Sequence, residues 1–300
     1  MPPIGFGLVG FKGFARQHLG SIDRLSEQGR GRLAGIVIID PEENADAVEE
    51  FRGRGTPIYH SLDDMLARAD DVDVVCLPVP IPLHAPFAVK ALDSGRHVIC
   101  EKPPAATIQD LLTMAEAERR SGKHCVIHFQ QIHCPLIQHV KNLIRQGALG
   151  ALESVSTYTV WKRLDTYYER TYWAGKIAAG GQYVLDGSIN NPLAHQLHNA
   201  LYLAGAGPAW ANPTAVQAEL YRGHEVIESE DTAVSRVWTH EGVMVHFVGT
   251  LIGPDQRHTQ FTVTGAEASL DFDLEGNILL KRPGKEPEPT FVDADHGQDR

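Results

Sequence analysis

Two histidines and two acid or amide side chains that could handle a proton lie in one short stretch, DGSINNPLAHQLHN at residues 186–199. His195 and His198 are three residues apart, and Asp186 and Asn191 precede them. An imidazole beside a carboxylate or a carboxamide can take a proton from a hydroxyl group, because histidine changes charge near neutral pH. The stretch alone leaves two interpretations open: an acid–base site, or a polar turn followed by an ordinary buried helix.

The spacing favours a helix directly after the two asparagines. If the helix begins near Pro192, Asn191 is its N-cap and His195 lies in its first turn. The positive end of the helix dipole then keeps His195 neutral and able to accept a proton. His198 lies one turn further on the same face, where a role in the site and a place in the core explain it equally well.

A second candidate is HVICEKPPA at residues 97–105, where a buried strand runs into Glu101-Lys102-Pro103. In open α/β sheets, ligands bind at the carboxyl ends of the parallel strands. Pro103 restricts Lys102 to an extended conformation. The ammonium group held there could bind a substrate hydroxyl and stabilise the alkoxide formed when the proton leaves. The alternative is a Glu–Lys pair on the surface.

A glycine-rich loop, GLVGFKGFARQH at residues 7–18, joins the first strand to the first helix. Aligned with the dinucleotide-binding pattern GxGxxG/A, it supplies Gly10, Lys12 in place of the second glycine, and Ala15. Gly13 could allow the close approach of a pyrophosphate, and the start of the helix offers N–H groups to an anion. A glycine-rich turn without a ligand is the alternative.

Asp40, at the end of the second strand, predicts which cofactor is bound. An acid at this position binds the ribose hydroxyls of NAD and repels the 2′-phosphate of NADP. NAD is therefore preferred over NADP, although Lys12 and Arg16 supply positive charge in the glycine loop. Asp40 could also serve as a helix N-cap before Pro41.

These candidate residues need a framework that brings them together. Over the first 130 residues, apolar strands alternate with helical patterns, which predicts a parallel sheet with helices on both faces. After about residue 150, strands follow one another with few helices between them, which predicts a mostly antiparallel sheet. We therefore expect an α/β fold, with a doubly wound domain at 1–125 and an α+β domain with a large open sheet at 126–300. The second-domain strands are predicted at 152–161, 213–222, 231–240, 242–251, 258–265 and 276–282, helices of the first domain include 41–51 and 84–95, and the polar tail 283–300 is expected to fray.

Composition excludes several classes of protein. A net charge of −11 over 300 residues argues against non-specific nucleic-acid binding, which needs a basic surface. The four cysteines form no CxxC pair, so we expect reduced thiols in a cytoplasmic protein and no metal site. The amino terminus lacks the features of a signal peptide, and no apolar run is long enough to cross a membrane.

Several motifs occur together in the order of a known family. They are the glycine loop with Arg16 and His18, Ser61 to Leu66, Pro80 to His84 with Ile81 where Asn is usual, Ala91-Leu92 to Gly95, His97-Val98, Glu101-Lys102-Pro103, Gln146 to Gly150, and Gly180-Gly181. Over about residues 4–282 the sequence resembles the Gfo/Idh/MocA oxidoreductases, named for glucose–fructose oxidoreductase and inositol dehydrogenase. The resemblance implies a Rossmann domain that binds NAD(P) and an open sheet that forms the substrate wall and often the oligomer interface. The implied reaction is reversible hydride transfer at a carbon of a sugar, a polyol or a related molecule.

The resemblance also assigns roles within the opening stretch. The family's acid–base histidine falls on His195, ten residues before the glycine that ends the helix, Gly205. The family's aspartate falls on Asp186, which follows Gly180-Gly181. Because the two alignments differ by five residues, we expect a five-residue insertion within GSINNPLA, which leaves Asn191 four residues before His195.

Further contacts follow from the resemblance. The tandem glutamines 130–131 replace the Asn-Arg pair of many members, and the aromatic segment 166–176 lies near a Trp-Arg position. The predicted cofactor contacts are Gly10, Lys12, Gly13, Phe14, Ala15, Asp40, Pro80, His84, Glu101, Lys102 and Gln130. The predicted substrate contacts are Lys102, Gln131, Trp173, Lys176, Asp186, Asn191, His195 and His198, of which Lys102, His195 and Asp186 are predicted to be catalytic.

The sequence therefore predicts an NAD-dependent dehydrogenase of a carbohydrate hydroxyl, in which His195 takes the proton and Lys102 stabilises the alkoxide. It is expected to form a homo-oligomer, a dimer or tetramer, through the second sheet. One alternative is a lyase or glycosidase that uses transient oxidation at the same site. Another is a cofactor-binding sensor without turnover, suggested by Lys12 and the displaced Asp–His spacing. Family members continue past residue 282 into a segment that packs back on the protein, so this chain is expected to be a short or a truncated member.

Overall fold

The computed structural model describes residues 2–290, and the chain separates into two compact units, residues 1–128 and 129–300. Each unit has its own principal sheet and its own hydrophobic core. Among the described helices, none combines the length and the apolar character needed to cross a membrane.

The first unit is built on six short parallel strands. They are β1 Ile4–Val9, β2 Gly31–Val37, β3 Ile58–Tyr59, β4 Val74–Leu77, β5 His97–Cys100 and β6 Cys125–Ile127. Their order in the sheet is β3-β2-β1-β4-β5-β6, which is the order of the Rossmann fold. The helices are α1 Ala15–Glu27, α2 Ala45–Gly53, α3 Leu62–Arg68, α4 Ile81–Asp93 and α5 Ile108–Ser121. The predicted doubly wound parallel sheet is confirmed.

Both faces of this sheet are covered, because successive residues of a strand point to opposite sides. In β2, Ile36 packs into a core with residues of α1 and α2, whereas Val37 packs into a core with residues of α3, α4 and α5. The central strands therefore lie between two apolar layers. Side chains that can contact a ligand therefore lie at the carboxyl ends of these strands.

Local capping explains where several helices begin and end. Ser61 accepts a hydrogen bond from the Asp64 N–H at 3.0 Å and caps α3, as the capping pattern predicts. The prediction that a helix begins at Pro41 is wrong, since α2 begins at Ala45. The Asn44 side chain donates to the carbonyls of Ile39 and Asp40, and this holds the preceding residues in a turn.

The second unit contains an eight-stranded sheet. Its strands are β7 Leu152–Val160, β10 Pro213–Tyr221, β11 Thr232–Thr239, β12 Met244–Thr250, β13 Arg257–Gly265, β14 Ser269–Asp273, β15 Ile278–Lys281 and β16 Glu288–Pro289. The order is β10-β11-β12-β7-β13-β14-β15-β16, and all of these neighbours are antiparallel except β12 and β7. The mostly antiparallel open sheet is confirmed. Sequence patterns did not predict β14 or β16, and the part of the predicted frayed tail at 291–300 lies outside the described residues.

Helices cover one face of this sheet, and a hairpin precedes the His195 segment. The helices are α6 Pro135–Arg145, α7 Asp165–Tyr168 and α8 Ala194–Ala204, with a 3₁₀ turn at Gln130–His133. The hairpin strands are β8 Ala178–Ala179 and β9 Gln182–Tyr183. Gly180 and Gly181 form the turn between them with φ angles of 58° and 78°, a conformation that favours glycine. The glycine pair of the family motif is therefore a tight turn.

A buried lysine holds the end of α8. Lys141 is 1% exposed, and its ammonium group donates to the carbonyls of Tyr202 and Gly205. Both carbonyls lie at the end of α8, where the last helix carbonyls lack the usual donors four residues on, and the Tyr202 carbonyl also accepts from the Gly205 N–H at 3.3 Å. Burial lowers the pKa of Lys141 to about 8. The packing of α6 against α8 thus fixes the helix that carries His195.

Candidate functional site

The glycine loop leaves its backbone uncovered at the start of α1. Gly10 and Gly13 have φ angles of 96° and 56°, and a Cβ atom at either position would meet no atom within 4 Å. Phe14 is exposed, whereas Ala15 is only 1% exposed and packs against residues of β1. Open glycines before a helix start are the arrangement in which backbone N–H groups reach a phosphate. The residues present therefore fit a dinucleotide pyrophosphate.

The second part of the cofactor region follows β2. Asp40 is exposed with φ 51°, and the Lys12 ammonium donates to Asn44 Oδ1 at 2.9 Å in the turn after it. Arg16 makes two hydrogen bonds to the Glu50 carboxylate, at 2.5 and 2.7 Å, which raise the pKa of Arg16. Lys12 and Arg16 both have side-chain partners within the chain, so neither offers an unpaired positive charge to the 2′-phosphate of NADP.

Glu101, directly after β5, lies between two imidazoles. Its Oε1 accepts from His18 Nε2 at 2.8 Å and from His128 Nδ1 at 2.7 Å, and its Oε2 accepts from the Lys102 N–H at 3.3 Å. These two histidine contacts outweigh the cost of burial and lower the pKa of Glu101 to about 2. The carboxylate is therefore ionised and holds the backbone of Lys102. Two imidazoles and a carboxylate are also ligand types of divalent metals, but here both nitrogens are hydrogen-bonded to one oxygen.

His84 supports the same turn from the other side. Its Nδ1 lies 2.7 Å from the Pro103 carbonyl and its Nε2 lies 2.8 Å from the Val79 carbonyl. The ring is 1% exposed, and burial lowers the pKa of His84. Pro80 directly precedes α4 and directs the chain into it. The predicted cofactor contacts Pro80 and His84 thus tie the end of β4 to the Lys102–Pro103 turn.

In the second unit, the Asp186 carboxylate is a buried acceptor. It accepts from the Gly175 N–H at 2.7 Å, from the Asn191 side chain at 2.6 Å and from Arg170 at 3.4 Å. Its side chain is 1% exposed. Asp186 therefore fixes the carboxamide of Asn191, the residue that precedes His195 by four.

The segment between Asp186 and α8 has a fixed conformation. Gly187 faces Glu230, and a Cβ atom on Gly187 would lie 2.0 Å from a Glu230 carboxylate oxygen. Glu230 accepts from the Ile189 N–H at 3.2 Å, and burial raises the pKa of Glu230. The prediction that Asn191 caps the helix is wrong: α8 begins at Ala194 after Leu193, and the Asn191 side chain donates to Asp186 instead.

The ring of Phe129 contacts both histidines of α8. His195 lies in the first turn, is 8% exposed and meets the edge of Phe129 with ring centroids 5.5 Å apart. His198 stacks on Phe129 at 3.9 Å and accepts from Trp210 Nε1 at 3.0 Å. Burial lowers the pKa of His198 to about 4. This packing favours the core interpretation of His198.

The remaining predicted contacts are distributed over the second unit. Gln130 is exposed, and Gln131 Oε1 accepts from Asn199 on α8 at 2.9 Å. Trp173 lies beneath the Arg170 guanidinium, 5.5 Å from its ring centroid, and Lys176 forms an exposed ion pair with Glu228 at 3.1 Å. Lys176 is therefore engaged at the surface, whereas Gln131 is tied to the helix that carries His195.

Sequence inspection missed four side chains that position the candidates: His128, Phe129, Arg170 and Glu230. His128 gave a usable signal, because it follows β6 as Glu101 follows β5, and the carboxyl ends of neighbouring parallel strands meet at one edge. Glu230 is distant from Gly187 in the sequence, and Gly175 and Arg170 precede Asp186 by 11 and 16 residues, spacings that match no helix or strand pattern.

Comparison with known proteins follows the same division of the chain. Residues 4–129 match the oxidoreductase family with an NAD-binding Rossmann fold, and residues 137–271 match the GFO/IDH/MocA C-terminal domain. The WlbA dehydrogenase from Bordetella pertussis, solved in complex with NADH and UDP-GlcNAcA, is 28% identical, with a TM-score of 0.79 over 90% of this chain and 77% of that one.

Two further relatives have different named activities. A dTDP-3,4-didehydro-2,6-dideoxy-alpha-D-glucose 3-reductase of Streptomyces antibioticus is 32% identical over 68% of this chain and 60% of its own length. A glycosyl hydrolase family 109 protein of Shewanella pealeana is 27% identical over 59% of this chain and 42% of its own length. The match thus spans less than two thirds of either relative. With the two family matches together covering most of the chain, this protein belongs to the GFO/IDH/MocA oxidoreductase family.

Proposed function

We propose that this protein is an NAD-dependent oxidoreductase that transfers a hydride between a carbohydrate carbon bearing a hydroxyl group and the nicotinamide. The observation that carries the proposal is the carboxyl edge of the first sheet. There an uncovered glycine loop, an exposed Asp40 and the Lys102 turn held by Glu101 follow strands of one parallel sheet. Ligands bind at this edge in open α/β sheets.

The proposed roles follow from the chemistry of the side chains. The glycine loop binds the pyrophosphate through backbone N–H groups, and Asp40 accepts hydrogen bonds from the ribose hydroxyls. Bound NAD supplies the acceptor for the hydride. Lys102 binds the substrate hydroxyl and stabilises the alkoxide, and His195 takes the proton. Asp186 and Asn191 orient the histidine or the sugar, while Gln130, Gln131, Trp173, Lys176 and His198 are the weaker proposed contacts.

A carbohydrate substrate is supported by two kinds of observation. The relatives named above act on or bind sugars, in part as nucleotide sugars. The second unit also presents Trp173 beneath Arg170, and an aromatic face is a surface on which sugar rings stack.

Calorimetric titration with NAD and, separately, NADP tests the cofactor assignment. We expect micromolar binding of NAD and binding of NADP weaker by roughly tenfold or more, a difference of about 1.4 kcal/mol. Asp40→Asn should narrow that difference, whereas Asp46→Asn, a matched change on α2, should leave it unchanged. A wild-type protein that binds neither dinucleotide, in a folded sample freed of co-purified cofactor, would contradict the proposal.

The second candidate function is redox-assisted cleavage of a glycosidic bond, which is favoured by the similarity to the family 109 glycosyl hydrolase. A panel of free sugars, nucleotide sugars and aryl glycosides separates the two functions. A dehydrogenase forms NADH in proportion to product. A redox-assisted glycosidase releases the aglycone with NAD present and without net NADH. Neither product from any substrate, with intact NAD binding, would favour the cofactor-binding sensor.

We also propose a homo-oligomer that forms through the second sheet. Strand β10 lies at the edge of the sheet, and all nine of its residues are exposed, including Val216, Leu220 and Tyr221. A long exposed edge strand with apolar side chains is a surface that proteins usually cover. Light scattering after gel filtration should give a dimer or tetramer, and Leu220→Lys should shift it towards the monomer. Four free cysteines further support a reducing, cytoplasmic location.

A further inference from the structure

His128 forms a pair with Glu101 and has no role in the function proposed above. The His128 Nδ1 lies 2.7 Å from Glu101 Oε1, and the carboxylate side chain is only 9% exposed. A buried carboxylate that accepts from one imidazole nitrogen fixes the ring and leaves the other nitrogen to act on a proton. His128 directly follows β6, so the pair stands at the carboxyl edge of the first sheet.

The hydrogen bonds determine the tautomer of His128. With a pKa of about 2, Glu101 is ionised at neutral pH and can only accept hydrogen bonds. The proton in the Glu101–His128 bond must therefore be on Nδ1 of the histidine. A neutral ring that carries its proton on Nδ1 has a lone pair on Nε2. Within the described residues, His128 Nε2 makes no hydrogen bond, so this lone pair can take a proton.

Exposure separates His128 from the other histidine on Glu101. The His18 side chain is 6% exposed, whereas the His128 side chain is 34% exposed. The two rings lie 5.1 Å apart at an interplanar angle of 48°, and both donate to the same oxygen. His18 therefore holds the carboxylate from the buried side, and His128 is the member of the group that water or a ligand can reach.

We propose that His128, oriented by Glu101, is a second acid–base group of this protein, in the cofactor-binding unit. The proposal rests on the proposed dehydrogenase function. In the oxidation, the substrate C–H bond breaks and its hydride reduces NAD⁺ to NADH, while the hydroxyl O–H bond breaks and the alcohol becomes a carbonyl. In this step Nε2 of His128, instead of His195, takes up the released proton and passes it to water, and the reverse reaction draws it from there.

His128→Asn is the sharpest variant. The asparagine amide can keep the donation to Glu101 that Nδ1 makes, but it has no group in the position of Nε2 that accepts a proton. We expect kcat to fall by about 100-fold or more, since general acid–base groups contribute at least that factor. The dissociation constant for NAD should change by less than about threefold. His124→Asn, which removes an exposed imidazole of the same unit, should leave kcat unchanged.

Chemical rescue distinguishes proton transfer from a purely structural role. Added imidazole should restore part of the kcat of His128→Gly, because a free base can enter the space left by the ring. A His128→Asn enzyme with wild-type kcat would overturn the proposal. So would a slow His128→Gly enzyme that imidazole does not rescue and that binds NAD poorly.

A readout without turnover tests the dyad separately from the dehydrogenase function. In protein labelled with ¹⁵N-histidine, NMR at neutral pH should show His128 protonated on Nδ1 and bare on Nε2, and Glu101→Gln should weaken that preference. A proton on Nε2 would overturn the proposal even in an active enzyme. Absence of any NADH formation with the expected tautomer would instead count against the dehydrogenase function.

Chelation provides the last control, because the same three side chains are metal-ligand types. Activity should survive dialysis against EDTA if the group works by proton transfer. Loss of activity on dialysis, with recovery on adding Zn²⁺, would show a metal site and overturn the proposal.

Discussion

Replacing Glu101 by Gln tests the electrostatic reasoning on which the first unit depends. The variant keeps an oxygen that can accept from His18 and His128 but removes the buried negative charge. The pKa of Glu101 is lowered from 4.5 to about 2, which corresponds to about 3 kcal/mol of folding stability at neutral pH. Because the pKa in the folded state is below that in the unfolded state, this contribution is complete above pH 4.5. It is lost as the pH falls from 4.5 towards 2, at about 1.4 kcal/mol per pH unit.

Urea unfolding at several pH values measures this contribution. All four tryptophans lie in the second unit, at Trp161, Trp173, Trp210 and Trp238, so their fluorescence follows that unit alone. Far-UV circular dichroism follows the unfolding of both units. The part of the circular dichroism transition that has no counterpart in the fluorescence therefore reports unfolding of the first unit. At pH 7 the midpoint of that part should fall by about 1.5 M urea in Glu101→Gln, given an m-value of about 2 kcal/mol/M.

The difference between wild type and variant should be constant from pH 7 to pH 5 and should be reduced by about 1.4 kcal/mol at pH 3.5. Glu27→Gln, at the exposed end of α1, is the control and should change stability by less than about 0.5 kcal/mol. An unchanged midpoint in Glu101→Gln, or a difference that does not diminish at pH 3.5, would refute the reasoning.

Three further predictions concern packing and protonation. Gly205→Ala should destabilise the second unit by about 2 kcal/mol or more, seen as a lower midpoint by tryptophan fluorescence, because the new Cβ would lie 2.1 Å from the backbone carbonyl oxygen of Ala209. Gly20→Ala should do the opposite in the first unit, with a gain of about 0.5–1 kcal/mol by circular dichroism, because the site is helical and the nearest atom is 3.9 Å away. The pKa of His198 is lowered from 6.5 to about 4, so the unfolded chain takes up a proton first as the pH falls. Stability of the second unit should therefore decline between pH 6.5 and 4, and His198→Gln should flatten that decline in the same fluorescence assay.

Much of the framework was predictable because it depends on local patterns. Ser61 and Asp64 indicated the start of α3, and Gly205 indicated the end of α8. Alternating strands and helices indicated the parallel sheet, and runs of strands indicated the open sheet. The start of α2 was predicted wrongly, because the side chain of Asn44 bonds backward to two carbonyls in a way that Pro41 does not reveal.

The details of the candidate site depended on side-chain contacts that residue type and spacing do not reveal. Asn191 has the residue type of an N-cap, yet the buried Asp186 accepts its side chain, and α8 starts three residues later. Glu101 was predicted as a cofactor contact, but its pairing with His128 joins residues 27 apart. Residue type and spacing could place these side chains on an edge or a helix, but only the folded chain shows which groups neutralise and orient them.

The Arg16–Glu50 ion pair has a consequence for how cofactor use could change over evolution or by engineering. The acid after the second strand, here Asp40, is the position that selects NAD in this fold. Arginine is the residue that accommodates a 2′-phosphate in this fold, and in this chain the guanidinium of Arg16 on α1 is held by the Glu50 carboxylate of α2. A single change at Glu50, outside the glycine loop, would release it. The preference would then shift from NAD towards NADP. The residue responsible would lie outside the glycine loop, which is the part usually compared between sequences.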